Sequence, residues 1–294
     1  MDIYDKYVPL ARIRKFLSQL YRFSVYSFEE PKIQLKNGMF IISVDVDVGS
    51  KELAIINGGN NDANVSSRFT EYSVGEIEER ALPLFVDLFN RFEIPVTFAL
   101  RGQLTEVRDS ILELLLKSSV KHDIGAHGYY HKNFKNLSHD EAENELKLIS
   151  DGMKKFGIIP RSFVFPRNNV AHLDLLEKYG YKCYRGDDLG LGMEKRGQLC
   201  NIRPSYLIDP STNFKLLKMT INLCIAKRLP FHVWFHSWNW AVHSGFGKTR
   251  ESMRRSTNRF FLPLLEYAKQ KEKSGALSLE TMLSAVEKVE ELSQ

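Results

Sequence analysis

"FIISVDVDVGS", residues 40–50, is the stretch on which the reading of this chain turns. An apolar run breaks into two aspartates one residue apart, Asp45 and Asp47, with Gly49 behind them. The run reads as a buried strand. Carboxylates at the end of such a strand are costly unless a metal, a cation or a reaction requires them. Two chemistries use the arrangement. In one the first aspartate is a nucleophile in phosphoryl transfer; in the other the first is a general base and the second holds a metal. Alternation along a strand puts residues 45 and 47 on the same side, so both face whatever site there is. The choice has to come from the rest of the chain.

Downstream, strands and helices alternate. "SVGEIEERALPLFVDLFNRF" (73–92) has apolar residues at helical spacing with Ser73 as a plausible N-cap. "IPVTFAL" (94–100) is a β-branched strand and "SILELLLKSS" (110–119) a helix. "SHDEAENELKLISDGMKKFG" (138–157) opens with Ser138 three residues before Glu141, the capping-box pattern. "RSFVFP" (161–166), "YKCYRGDD" (181–188) and "FHVWFHSWNW" (231–240) read as strands, and "NVAHLDLLEKYG" (169–180) as a helix ended by Gly180. "RRSTNRFFLPLLEYAKQKEKSG" and "SLETMLSAVEKVEEL" read as closing helices. The alternation predicts parallel βαβ units in an α/β fold, either a barrel or an open doubly wound sheet. No repeat, low-complexity tract or linker divides residues 38–294. Residues 1–37 form an N-terminal helical extension: Leu10, Ile13, Leu17 and Leu20 fall at helical spacing among Arg12, Arg14, Lys15 and Arg22. Packing on the main domain is the plain reading of that helix, and peripheral membrane contact through residues 8–24 the sharper one. "KELAIINGGNNDANVSSRF" (51–69) is a polar loop long enough to shape a substrate groove.

The 294 residues are 43% hydrophobic and 26% charged, ordinary for a globular protein and enough for one barrel. The formal charge of +5 is too small to argue nucleic-acid binding, and no basic stripe with interleaved aromatics appears. It suits an anionic substrate or an acidic membrane surface. Cys183, Cys200 and Cys224 form no CxxC pair, which favours a reduced compartment. With no signal peptide or long apolar span visible, a cytoplasmic location is expected.

In a parallel sheet the C-terminal strand ends share one face. Here those ends carry Asp45 and Asp47, then His127 and His131 of "AHGYYH", Arg167 of "FPRN", Asp187 and Asp188 of "RGDD", and His236 of "WFHSW". Histidines four residues apart fall on one side of a helical turn, a spacing suited to two imidazoles on one divalent ion. With a carboxylate from another strand end, the set becomes His, His, Asp and an open position, the pattern of a catalytic zinc site.

"ISVDVDVG", "DIGAHGYYH", "SFVFPRN" and "VWFHSWNW", in that order over about residues 38–285, resemble the polysaccharide deacetylases of carbohydrate esterase family four. The resemblance implies a distorted (β/α) barrel and hydrolysis of the acetyl amide of N-acetylated sugars. It implies one divalent ion, zinc foremost with cobalt, nickel or manganese as alternatives, bound by Asp47, His127 and His131. Asp45 becomes the general base and His236 the acid that protonates the departing amine. A backbone N–H, that of Asn168, is the candidate for the tetrahedral oxyanion. Two positions depart from the family pattern. Its aspartates are adjacent, whereas Val46 separates them here. It has an arginine two residues before the proline, where this chain has Val164; Arg167 is then the candidate to orient the base. Asp187 and Asp188 are candidates to tune His236.

Plainer readings stand beside these. His122, His139, His172 and His243 lie outside the motifs and read as surface or capping residues, and His232 as structural. Among the aromatics, Trp234 reads as core, while Tyr129 and Trp238 are candidates to stack on a sugar ring. The main rival function is an aspartate-nucleophile phosphatase, which "VDVDVG" and "RGDD" nearly fit but which leaves His127, His131 and His236 unexplained. A catalytically inactive, sugar-binding relative is the second. The expected substrate is an N-acylated sugar of a glycan-assembly route, carried on a nucleotide or polyprenyl phosphate.

Overall fold

A computed structural model describes residues 3–30, 32–33, 35–47, 74–186, 188–237 and 250–292. The expected loop 51–69, Ser73, Asp187, Trp238 and His243 lie outside those residues.

Strand β1 (Gly38–Val46) is buried along its whole length, because both faces of a parallel strand are covered. It pairs in parallel with β2 (Thr97–Leu100) through Ser43–Val46, and with β9 (Pro230–His236) on its other side. The lower half of β1 takes a third partner, β10 (Leu277–Glu280), from Gly38 to Ile41. Beyond β2 the sheet continues through β3 (Asp123–Ala126), β4 (Ser162–Val164), β5 (Cys183–Arg185) and β7 (Leu199–Ile202), with β6 (Met193–Arg196) antiparallel at that edge. Short β8 (Tyr206–Leu207) completes the other edge beside β9. The result is a curled, incompletely closed (β/α) barrel, the expected fold class.

The helices lie outside this sheet. α1 (Ile3–Ser27) is the N-terminal extension, and α2 (Val74–Phe92) fills the long connection after β1. α3 (Leu104–Val107) and α4 (Asp109–Leu116) follow β2. α5 (His139–Lys154) starts at a full capping box between Ser138 and Glu141, as read from sequence. α6 (Leu173–Lys178) ends before Gly180 at φ 77°. α7 (Phe214–Lys227), α8 (Arg250–Phe260), α9 (Leu262–Lys273) and α10 (Met282–Leu292) complete the set. The larger apolar core lies between sheet and helices; Phe85 of α2, for example, packs on Phe235 of β9 with ring centres 4.8 Å apart. A smaller cluster, including Ile41, Ala99, Val164, Cys183 and Ile202, fills the barrel interior, and Met282 and Ala285 of α10 plug its base. Above that apolar floor the interior turns polar, and this is where the conspicuous side chains of the sequence converge.

Candidate active site

Asp45 and Asp47 stand at the end of β1, 1% and 5% exposed. A buried carboxylate needs a charge partner, and Asp45 has one: Arg185 at the end of β5 donates from Nη1 to Oδ1 at 2.7 Å and from Nη2 to Oδ2 at 2.5 Å. The same Nη1 donates to Ser43 Oγ at 2.8 Å, and Ser43 shares a 2.8 Å hydrogen bond with His232 Nε2. The guanidinium lies over the Trp234 ring, 4.3 Å from its centre. Arg185 is fully buried, with both terminal nitrogens of the fork engaged. Burial opposes the charge on Asp45, but Arg185 and then His127 outweigh it and hold the carboxyl below its usual range.

The expected role of Arg167 is therefore filled from another strand. Arg167 sits exposed in the turn after β4 at φ 58°, while Val164, where the family pattern carries its arginine, lies directly opposite Arg185 in the β4–β5 register.

Asp47, His127 and His131 converge, with one donor atom from each lying within 4.8 Å of the others. The HxxxH spacing does not act through a helical turn. The segment is an irregular loop in which Gly128 (φ 68°) and His131 (φ 58°) both take left-handed backbone conformations, folding the two imidazoles to 4.8 Å between ring centres. A side chain at 128 would also collide with Pro166, its Cβ 2.8 Å from Cγ. A histidine at positive φ costs on the order of 1 kcal/mol, so the surroundings must enforce it. Glu145 of α5 supplies part of that constraint: one of its carboxylate oxygens accepts from the Tyr129 and Tyr130 N–H groups at 2.8 and 2.9 Å.

The donor set suits a divalent metal. His127 Nδ1 donates to the Val164 carbonyl at 2.8 Å, leaving Nε2 buried and without a hydrogen-bond partner. Burial pushes His127 down to about 4, so the ring is neutral and its bare nitrogen faces the Asp47 side. An imidazole oriented by a carbonyl through one nitrogen with the other left open is the usual pose of a ligand. Asp47 is held well below the carboxylate range: burial opposes ionisation, but His236 and then His131 and His127 overcome it.

His236, at the end of β9, places Nε2 3.3 Å from Asp47 and 3.8 Å from Asp45. Burial disfavours its charge, yet the two carboxylates raise its pKa overall. Asp188, expected to tune it, instead faces Arg196 at 3.3 Å and Arg203 at 3.5 Å.

Two further expectations change. Tyr129 is buried in the core against Gly102, which removes it as a sugar platform. The Asn168 N–H is already donated to the Phe165 carbonyl at 2.9 Å, so it is not free for an oxyanion. Sequence reading also passed over Arg101, a buried guanidinium past the end of β2 whose Nη2 donates to Gln103 at 3.1 Å. Burial lowers its pKa, while Asp47 and Glu145 act to raise it.

Comparison with known proteins fits this geometry. Residues 72–184 match the polysaccharide deacetylase family. A peptidoglycan deacetylase of Helicobacter pylori is 25% identical over 142 residues, covering 47% of this chain and 46% of that protein. The match thus spans less than half of the curated relative. A Mycobacterium smegmatis structure assigned to the polysaccharide deacetylases superposes with a TM-score of 0.66 at 14% identity, over 90% of this chain and 95% of that one. The Puue allantoinase structure gives 0.61 at 13% identity, over 85% and 88%. At such identities the structures establish the fold alone. Over residues 72–184 the chain is thus similar to the polysaccharide deacetylases, the family its motifs resemble.

Proposed function

We propose that this relative of the polysaccharide deacetylases is a metal-dependent hydrolase that removes an N-acetyl or other small acyl group from a sugar. The observation that carries the reading is the meeting of Asp47, His127 and His131, with a bare buried Nε2, beside an arginine-locked Asp45. A divalent ion held by those three residues would lower the pKa of a bound water and polarise the acyl oxygen. Asp45 accepts the proton from the attacking water; its ionised state, maintained by Arg185, keeps it ready to do so. His236, on the other side of the same carboxylates, carries a proton and gives it to the departing amine. The aspartate-nucleophile alternative is disfavoured because it gives no role to the histidines that gather around Asp47. The substrate class is an N-acylated sugar on a nucleotide or polyprenyl phosphate, to which the net charge of +5 is suited.

The test joins metal analysis to acetate release from acetylated sugar donors. Wild type is expected to bind one ion per chain and to release acetate. His127→Ala loses both properties. Asp45→Asn keeps the ion but loses activity by roughly 10²–10⁴-fold, the usual weight of a positioned base. An Asp45→Asn enzyme as active as wild type would remove the mechanism.

A further inference from the structure

Helix α1 is mounted inside out. Its polar side faces the barrel and is tied down: Lys15 pairs with Asp209, the Gln19 side chain accepts from the Asn213 N–H at 2.9 Å, and Tyr26 donates to the Ser205 carbonyl at 2.8 Å. Its apolar side faces outward. Ile13, Leu17, Leu20, Tyr21, Val25 and Phe28 are all exposed, from 40% at Leu20 to 86% at Phe28. At about 100° per residue the helix positions among these cover roughly 140° of the circumference, with Phe28 just past the helix end. That is wider than the narrow seam by which two helices zip together.

The direction of the helix is fixed by the same ties. Tyr26 meets Ser205, just before β8, whereas Lys15 meets Asp209, just past it, at the end of the sheet that carries Asp45 and His236. α1 therefore runs antiparallel to β8. From Lys15 back to Ile3 the helix continues for a further twelve residues, about 18 Å, past the catalytic end. Arg14 is exposed at the margin of the apolar face, Lys6 and Arg12 are nearby in sequence, and the whole chain carries +5.

From these observations we infer that the outer face of α1 is a docking surface for an anionic lipid bilayer. A broad, convex, aromatic-containing face with the exposed Arg14 beside it matches the chemistry of a helix lying in a membrane interface. Positive charge at its edge is complementary to acidic headgroups. Among the described residues no helix is long and apolar enough to cross a membrane, so the contact is peripheral. Docking would lay the barrel along the lipid surface with its catalytic end opening beside it, where a polyprenyl-linked sugar would be presented. That last consequence rests on the proposed hydrolase, whereas the docking itself does not.

The test is co-sedimentation of the full chain with vesicles containing phosphatidylglycerol and with vesicles of phosphatidylcholine alone, together with light scattering for oligomeric state. Wild type is expected to bind the anionic vesicles and to weaken with salt. Leu17→Glu and Arg14→Glu, both at exposed positions, are expected to reduce partitioning by about tenfold or more while leaving turnover of a soluble acetylated donor unchanged. Wild type that ignores anionic vesicles, or that binds as well as Leu17→Glu, would overturn the inference. A wild-type dimer without vesicle binding that becomes monomeric in Leu17→Glu would also do so, assigning the face to a second copy. Binding with no hydrolysis of any donor would leave the docking standing and sink the catalytic reading instead.

Discussion

Replacing Arg185 probes both the stability and the chemistry of the site. Its guanidinium makes two bonds to Asp45 and one to Ser43, and stacks on Trp234. Arg185→Leu leaves a fully buried carboxylate without its hydrogen-bonded charge partner, which costs about 3–5 kcal/mol. For a chain of this size that lowers Tm by roughly 10 °C. Arg185→Lys keeps the charge but a single ammonium cannot reproduce the fork. It gives up one or two charge-assisted bonds at about 1.5–3 kcal/mol each, plus the stacking. Asp45, the proposed base, then loses its fixed direction, and kcat is expected to fall about hundredfold. Asp45→Leu combined with Arg185→Leu removes the pair together and should recover most of the stability, since apolar replacement of a buried pair is often neutral. Activity should remain absent. Thermal unfolding and acetate release measured on all three variants, with Arg167→Ala as a comparison, check the chain of reasoning. Full activity in Arg185→Lys, or an equal loss in Arg167→Ala, would refute it.

Glu145→Ala should strand the Tyr129 and Tyr130 N–H groups, at about 1–3 kcal/mol each, and loosen the loop that folds His131 toward Asp47. Metal affinity, read by competition with a chelator, is expected to drop by tenfold or more, about the weight of an outer-shell contact; unchanged affinity would deny Glu145 that role. Stability should also depend on pH through His122 and His232, which burial pushes down to about 4 and about 3. Both stay neutral in the fold but protonate near 6.5 when unfolded, so stability is full above about 6.5 and is lost as pH falls toward 4, by up to about 1.4 kcal/mol per pH unit for each histidine. Urea unfolding at pH 7 and pH 5 measures this, and His122→Gln should flatten the slope.

The strands with long apolar runs were legible because a parallel sheet buries both faces. Those missed are short and lack such runs. β10 is four residues of "LSLE" that merge into the following helical pattern, and β6 carries Glu194, Lys195 and Arg196 ahead of a turn at Gly197. α7 was passed over because apolar residues occur on most of its sides, which weakens the periodic signal. In the site, Asp45, Asp47, His127 and His236 could be picked out because each stands at or just past the end of an apolar strand, and His131 because it shares a motif with His127. Spacing points to two histidines that do come together, but by another route: positive φ at Gly128 and His131, not a helical turn, brings them close. Glu145 and Arg101 carry no local signal, since a helix glutamate and a loop arginine read as solvated until the fold buries them.

Arg185 is masked in the sequence for a sharper reason, which also supplies a test. It sits in "YKCYRGDD", whose acids drew the attention, while the family pattern asks for an arginine at 164. Val164 and Arg185 are register partners across β4 and β5, so their side chains leave the same face about 4.8 Å apart. One guanidinium fits into the space around Asp45, and either strand is close enough to supply it. Val164→Arg alone forces a second cation and extra volume into a filled interior; Arg185→Val alone strands Asp45. Each should fold less stably and lose most of its activity. Combined, Val164→Arg and Arg185→Val return one arginine and one valine to the same volume, and the coupling between the two changes should be favourable by about 1–3 kcal/mol. A double-mutant cycle on stability and on acetate release reads that coupling. Strict additivity of the two losses would mean that position 185 holds Asp45 through features of β5 that an arginine on β4 cannot supply.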